Sequence, residues 1–278
     1  MTTVLRYAAF TRNPSGGNPA GVVLDADLSD APALQAVATD LGYSETAFLR
    51  ATGPARFAVR FFSPAAEVPF CGHATIASAV ALAERYGPAD VVLDTVAGTV
   101  SVRTHVADGG LAATLTSVPP QVIPVAAEDV AAVLDALGWE LADLDPELPP
   151  RAAYAGAWHL ILPVATRQRL ADLRYDFPRL TALMLSRDWT TVHLVWREDE
   201  LTHHARDPFP VGGVVEDPAT GAAAAAYGAY LRELGEVSPP AQLTIHQGDD
   251  LGRPSILRVD LMPEDPRIQV TGYAVAIA

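Results

Sequence analysis

Glu67-Val68-Pro69-Phe70-Cys71-Gly72-His73-Ala74-Thr75 is the stretch on which the fold is read. It leads from a strand-like apolar run ending at Phe62 into Gly72 to Tyr86, a segment of small and apolar residues. That segment lacks a clear polar face over its first three turns, and a helix apolar on all sides is a buried one. A buried helix flanked by short strands predicts a sheet curled around it. A second passage repeats the pattern. Arg60, Pro64 and Cys71 match Arg206, Pro210 and Asp217, each pair 146 residues apart, and Ala77 and Ala79 fall on Ala223 and Ala225. Solenoid repeats are far shorter, so the spacing reads as a duplicated domain.

The elements around the two passages agree. Period-2 and apolar runs predict strands over 4–10, 21–24, 46–49, 57–62 and 99–106 in the first half. The second half offers 159–164, 190–196, 242–246 and 256–261, and a last strand over 268–278 can belong to either half. Each half has an early polar-capped helix, 32–41 and 127–137, and then a small-residue helix, 72–86 and 218–234. Ser117-Val118-Pro119-Pro120 is turn-prone and marks the boundary. The expected domains are 1–117, completed by 266–278, and 118–265.

Composition narrows the function. Of 278 residues half are hydrophobic and 19% are charged, enough for a sizeable core. The net charge of −14 argues against nucleic acid, which wants a basic stripe. It allows a small anionic metabolite, because backbone dipoles bind anions on an acidic protein. The 19 basic residues are all arginine. A Schiff-base lysine and a P-loop lysine are both missing, which excludes pyridoxal and P-loop chemistry. Cys71 is the only cysteine, so no internal disulfide forms and a reducing compartment fits. No run reaches a membrane span, and Met1 to Phe10 does not read as a secretion signal. The expected location is the cytoplasm.

Candidate chemistry gathers at the two helix starts, Cys71-Gly72-His73 and Asp217-Pro218-Ala219-Thr220-Gly221. A helix N-terminus offers unpaired N–H groups and partial positive charge, and Gly72 and Gly221 let a ligand approach the backbone. Read singly, Asp217 before Pro218 is a helix cap and Cys71 a small buried hydrophobe. Glu45, in Ser44-Glu45-Thr46, is the third candidate, an acid placed for proton transfer. Asn18-Pro19-Ala20-Gly21 reads as a turn, and Gln247-Gly248 and Gly252-Arg253-Pro254-Ser255 as loops able to touch substrate. His203 and His204 are adjacent, so in a strand they point to opposite faces and chelate poorly. No HExxH and no Cys/His cluster stands in the sequence, so no metal is expected.

Taken together, Gly17 to Val22, Ser44 to Phe48, Glu67 to Thr75, Glu216 to Gly221, and Gln247-Gly248 with Gly252 to Ser255 resemble the phenazine-biosynthesis PhzF-like family, nearly end to end. The resemblance implies an α+β, diaminopimelate epimerase-like fold. That fold has two pseudo-symmetric domains, each a curled, mostly antiparallel sheet around a central helix, with the site in the cleft between them. It implies no cofactor and a homodimer. It implies an isomerase in which Glu45 is the acid/base, with His73 and Asp217 as its partners. By the same resemblance the backbone at Gly72, Gly221 and Ala222 binds carboxylate. Asn18, Ser44, Cys71, Thr75, Thr220, Gln247, Gly248, Arg253 and Ser255 complete the expected substrate-binding set. Cys71 and Pro208 depart from the pattern of the phenazine enzyme itself, which has alanine at the first position and commonly Phe at the second.

Two other functions stay open on these residues. One is a racemase or epimerase using Cys71, although Asp217 at the matching position rules out a two-thiol reaction. The other is a metabolite-binding protein that kept the fold without catalysis.

Overall fold

The computed structural model of the chain describes residues 3–278. Met1 and Thr2, which begin both the first expected domain and the segment read as no secretion signal, lie outside the described residues. The described chain forms two compact units. The first runs to Thr116 and takes in Arg253–Ile256 and Val270–Ala278; the second comprises Ser117–Gly252 and Leu257–Gln269. The boundaries differ from those expected from sequence at three places, the first being Ser117, which joins the second unit. Residues 253–256 join the first unit because Arg253 binds the carbonyls of Gly16 and Gly17 and the Ile256 N–H donates to Phe10. Residues 266–269 stay in the second, where Ile268 and Ser117 exchange hydrogen bonds.

In the first unit the order is β1 (Leu5–Ala9), β2 (Asn18–Val23), α1 (Ala31–Leu41), β3 (Glu45–Gly53), β4 (Arg56–Phe62), β5 (Glu67–Val68), α2 (Gly72–Tyr86), β6 (Asp90–Thr95), β7 (Gly98–Ala107) and β8 (Gly110–Thr116). The second unit continues with β9 (Gln121–Pro124), α3 (Ala127–Leu137), β10 (Arg151–Tyr154), β11 (Trp158–Pro163), α4 (Arg167–Ala171), α5 (Phe177–Arg187), β12 (Trp189–Arg197), β13 (Thr202–Pro208), β14 (Glu216–Asp217), α6 (Gly221–Leu234) and β15 (Ala241–Gln247). Strands β16 (Ser255–Leu261) and β17 (Ile268–Ala276) each give residues to both units.

Within the first unit the strands close on themselves. Antiparallel ladders join β1 to β2, β3 to β4, β6 to β7 and β7 to β8, and parallel ladders join β2 to β3 and β4 to β6. Strand β17 pairs with β1 and β8 and completes the ring. Helix α2 fills it, and every residue from Gly72 to Ala83 is buried. Alanine, serine and glycine dominate this helix because large side chains would not fit between backbone and wall. Gly87 ends the helix at φ 90°, a backbone state that favours glycine. Helix α1, capped by the Asp30 carboxylate, packs outside through Leu34 and Ala38 on Val23, Phe48 and Phe62.

The second unit repeats the pairing pattern. Its β11–β12–β13–β15 ladders run parallel, antiparallel, parallel, as do β2–β3–β4–β6, and the two-residue strand β14 folds back on β13 as β5 does on β4. Strands β11 and β12 alternate in the way a sheet covered on both faces requires. Leu160, Leu162, Val192 and Leu194 pack on one side with Leu134, Leu180 and Met184 of α3 and α5. His159, Thr191 and His193 belong to the other register, and His193 meets Tyr227 of α6 there.

Four expectations are corrected. Helix α6 starts at Gly221, not Pro218, because Asp217 is held in β14 opposite Asp207 and Thr220 takes the cap position. The duplication therefore shifts register. Arg60 and Arg206 are 146 residues apart, but beyond the 3-10 turn Pro210–Gly212 the offset is 149, pairing Glu67 with Glu216, Pro69 with Pro218 and Gly72 with Gly221. Cys71 thus corresponds to Thr220, and Asp217 to Val68. Helix α3 has no side-chain cap, its N-cap being Ala126, and acidic Glu128 and Asp129 in its first turn favour the positive end instead. Asn18 to Ala20, read as a turn, lie in β2, with Pro19 near the strand start where its missing N–H is tolerated.

Candidate active site

In the first unit the end of the ring carries four of the expected residues in one cluster. Glu45 opens β3 and His73 is the second residue of α2, so the parallel register that sets β3 beside β2 also brings the carboxylate over the helix start. Glu45 Oε2 lies 3.4 Å from His73 Nε2, with both side chains buried. Ser44 Oγ is 3.3 Å from the same nitrogen, and Cys71 Sγ is 3.3 Å from His73 Nδ1. Burial holds the His73 imidazole below its usual pKa range, against the opposing pull of Glu45 and a backbone hydrogen bond at Pro19. The ring is therefore neutral near pH 7, with one nitrogen a donor and the other an acceptor. A carboxylate touching a neutral imidazole is a pair that can pass a proton.

Glu45, Cys71 and His73 were sought in sequence as catalytic and binding groups and not as metal ligands. Their ligand atoms all lie within 4.8 Å of one another. Glu45 stands 26 residues before Cys71, so no ligand spacing in the sequence signals the group.

In the second unit Asp217, Thr220 and Gln247 form a closed polar knot. Thr220 Oγ1 donates to Asp217 Oδ2 at 2.6 Å, and the Gln247 amide donates to the Asp217 carbonyl at 2.7 Å. The same amide oxygen accepts from the Thr220 N–H at 3.0 Å. This knot ties residues 217–220 together ahead of α6. The side chains of Cys71 and Thr220 make no cap hydrogen bond to their helices, whereas α1, α4 and α5 are capped by Asp30, Thr166 and Asp176. Helix starts not served by their own caps suit an incoming anion.

Other expected residues have mainly structural duties. Thr75 donates to the Cys71 carbonyl at 2.7 Å, inside its own helix. Arg253 spends its Nε and Nη2 donors on the carbonyls of Gly17 and Gly16, each at 2.7 Å, and Ser255 donates to the Arg253 carbonyl. Arg253 thereby braces the loop leading into buried Asn18, the first residue of β2. Gly248, at φ 78°, turns the chain after Gln247 into a 3-10 turn, and Gly221 and Ala222 form the first turn of α6.

The second unit also holds a buried polar network that no sequence motif marks. His193 Nδ1 lies 2.9 Å from Asp207 Oδ2, Thr191 donates to Asp207 Oδ1, and His159 Nδ1 contacts the Thr191 hydroxyl. All four residues are buried, and Asp207 sits across the ladder from Asp217. Its only sequence signal was polar residues at alternate positions of strongly apolar strands.

With this geometry in hand, relatives can be compared. The profile of a family described as "Phenazine biosynthesis-like protein" matches residues 7–278. The chain belongs to this family. Within it, an uncharacterized isomerase YfhB of Bacillus subtilis is 32% identical over 98% of this chain and 95% of its own length. A trans-2,3-dihydro-3-hydroxyanthranilate isomerase of Pseudomonas chlororaphis is 30% identical over 96% of this chain and 94% of its own. The solved structure of a predicted epimerase from Pseudomonas aeruginosa matches with TM-score 0.89 and 28% identity, covering 100% of this chain and 98% of that one. A hydroxyproline epimerase from Agrobacterium vitis matches with TM-score 0.69 at 14% identity, covering 99% of this chain and 90% of that one, and shares the fold alone. The fold is that of the diaminopimelate epimerase-like group, as the resemblance in sequence implies, and the chain is an isomerase of the phenazine biosynthesis-like family. Among the described residues no helix is long and apolar enough to cross a membrane.

Proposed function

We propose that the enzyme shifts a proton between neighbouring carbons of a small carboxylate-bearing metabolite, without a cofactor, and that Glu45 is its acid/base. The observation that carries this reading is the buried Glu45 carboxylate 3.4 Å from a neutral His73 imidazole. Glu45 removes a proton beside an electron-withdrawing group and returns it to the adjacent carbon. His73 holds the carboxylate in place and exchanges a hydrogen bond with it as its charge changes, while Ser44 contacts the same ring nitrogen. Asp217, set by Thr220 and Gln247, orients a polar group of the substrate. The uncapped amides at Gly72, Gly221 and Ala222 receive the substrate carboxylate and stabilise negative charge that develops between the two proton transfers.

The relative from Pseudomonas chlororaphis suggests a cyclic dihydro-hydroxy amino acid as the substrate class. The test is turnover of such a compound in deuterated water. One deuteron should appear at the carbon that accepts the proton, and Glu45→Gln should slow the reaction by about 10²–10⁴ while still binding product. A variant that turns over at the parent rate removes Glu45 from the chemistry.

A second reading has its own observation. Cys71 Sγ lies 3.3 Å from His73 Nδ1 at the start of α2, where a thiolate is favoured. That placement suits a thiol base that inverts a carbon with Glu45 or Asp217 as the second group. Deuterium entering a stereocentre without migration, and lost in Cys71→Ser, would select it. The proposal also keeps the enzyme in the cytoplasm, on the strength of a sequence with a single cysteine, and as a homodimer, on the family pattern.

A further inference from the structure

We propose that Glu45, Cys71 and His73 bind one Zn²⁺ ion, so that a thiophilic divalent cation can occupy this cluster and halt proton transfer. A tetrahedral zinc site holds sulfur at about 2.3 Å and nitrogen and oxygen at about 2.0–2.2 Å, which sets its donors roughly 3.3–3.6 Å apart. His73 Nε2 is 3.4 Å from Glu45 Oε2 and 3.9 Å from Cys71 Sγ, and the three ligand atoms span no more than 4.8 Å. Closing a pair from as much as 4.8 Å to that spacing takes about an ångström of side-chain movement, within the reach of χ rotation at Cys71 and Glu45. Ser44 Oγ, 3.3 Å from the same nitrogen, borders the fourth position, which water or a substrate oxygen can fill.

The chemistry of the donors supports this reading. One thiolate and one carboxylate neutralise a divalent ion, so the complex adds no net charge to a buried place. That balance outweighs the positive end of α2, which disfavours a bare cation but favours the Cys71 thiolate. The imidazole keeps a backbone hydrogen bond at Pro19, the kind of outer partner that orients a zinc-bound histidine. The chain carries a net charge of −14, which raises the local concentration of cations around it. Binding of the ion depends only on the three donors. Inhibition depends in addition on Glu45 being the acid/base, since a metal-bound carboxylate cannot accept a proton.

The test uses whole protein freed of metal with a chelator, then titrated with zinc chloride against a chromophoric zinc indicator, and separately with cobalt chloride by absorption. One equivalent of zinc should bind, and cobalt should give the near-ultraviolet charge-transfer band of a thiolate ligand. Cys71→Ser and Glu45→Gln, both nearly isosteric, should each weaken zinc binding by at least about tenfold, and Cys71→Ser should remove the cobalt band. His204→Ala combined with His246→Ala, which removes a surface pair of stacked imidazoles in the second unit, should leave both signals unchanged. Zinc binding that persists in Cys71→Ser and Glu45→Gln, that disappears in the surface double variant, or that is absent at micromolar zinc overturns the inference. Zinc bound by the cluster without loss of turnover would leave the metal site standing and remove Glu45 from the mechanism.

Discussion

Glu216 receives two hydrogen bonds from Arg206, at 2.9 and 2.5 Å, in a pair that is almost wholly buried. Arg60 and Glu67 make the same two-pronged pair at the corresponding place in the first unit, at 2.7 and 2.6 Å, with side chains 23% and 31% exposed. In both, the arginine sits on the longer strand and the glutamate on a two-residue strand folded back on it. The duplication thus provides one interaction in two environments. Burial pushes the Glu216 carboxyl up in pKa, and Arg206 opposes the rise. Arg206→Met leaves that carboxyl without its charge partner and should cost about 3–5 kcal/mol. Arg60→Met should cost about 0–1 kcal/mol. Urea titrations of the two variants, followed by circular dichroism, compare them directly, and equal losses would contradict this account.

Glu45→Gln keeps the shape of the side chain and its contact with His73 but takes away the base. Turnover should fall by about 10²–10⁴, with product affinity changed by less than about threefold. Rapid-quench kinetics and isothermal titration on the same preparation separate the two effects. A parallel loss of affinity and rate would make Glu45 a binding group.

The buried histidines of the second unit predict loss of stability in acid. Burial pushes His159 down to about 3, against the attraction of Asp207, and His203 down to about 4. In the unfolded chain both return to about 6.5. Between these values the unfolded chain binds the additional protons, so the stability they confer is complete above about pH 6.5 and drains away as the pH falls toward 3. For His159 alone the loss approaches roughly 4–5 kcal/mol. His159→Gln should flatten the acid side of the stability profile, measured as urea midpoints from pH 8 to pH 4. A slope identical to the parent's would exclude His159 as its source.

Gln247 ties Asp217 to Thr220 through both ends of its amide. Gln247→Leu removes the tie and leaves a buried carbonyl and N–H without that partner, at a cost of about 1–3 kcal/mol. If Asp217 orients substrate, kcat should drop about 10–100-fold, since small displacements of a positioned group are expensive in rate. Gln247→Glu restores one acceptor and should recover the Thr220 contact only. A stability loss with unchanged kcat would make the knot purely structural.

Much of the fold was legible before any coordinates. Helix α2 fell at 72–86 as expected because its apolar surface was unbroken and Gly87 stops it. The start of α6 was misplaced by three residues because Asp217-Pro218 has the chemistry of a helix cap, and only the pairing of Asp217 with Asp207 shows otherwise. The same three residues hid the true correspondence of Cys71 with Thr220, since the inserted turn Pro210–Gly212 leaves the Arg60 and Arg206 spacing intact. Glu45 and His73 were singled out from motifs, but their approach depends on a parallel ladder between β2 and β3 that no local pattern encodes. Arg253 looked like a substrate ligand because arginine in a glycine-rich loop often is one. Its use on the carbonyls of Gly16 and Gly17 follows from a contact more than 200 residues distant in sequence. The His193–Asp207 pair was invisible for a similar reason, being formed across neighbouring strands.

Strand β17 also dictates an order of assembly. Its Tyr7-facing segment, Ala274 to Ala276, seals the gap between β1 and β8 in the first unit. During synthesis on the ribosome, residues 3–116 therefore wait with two open edges until residues 270–276 emerge, while the unit made between them has almost all of its strands in hand. Chaperone dependence and aggregation of stalled nascent chains should concentrate in that interval, and a chain cut before residue 270 would expose both edges permanently.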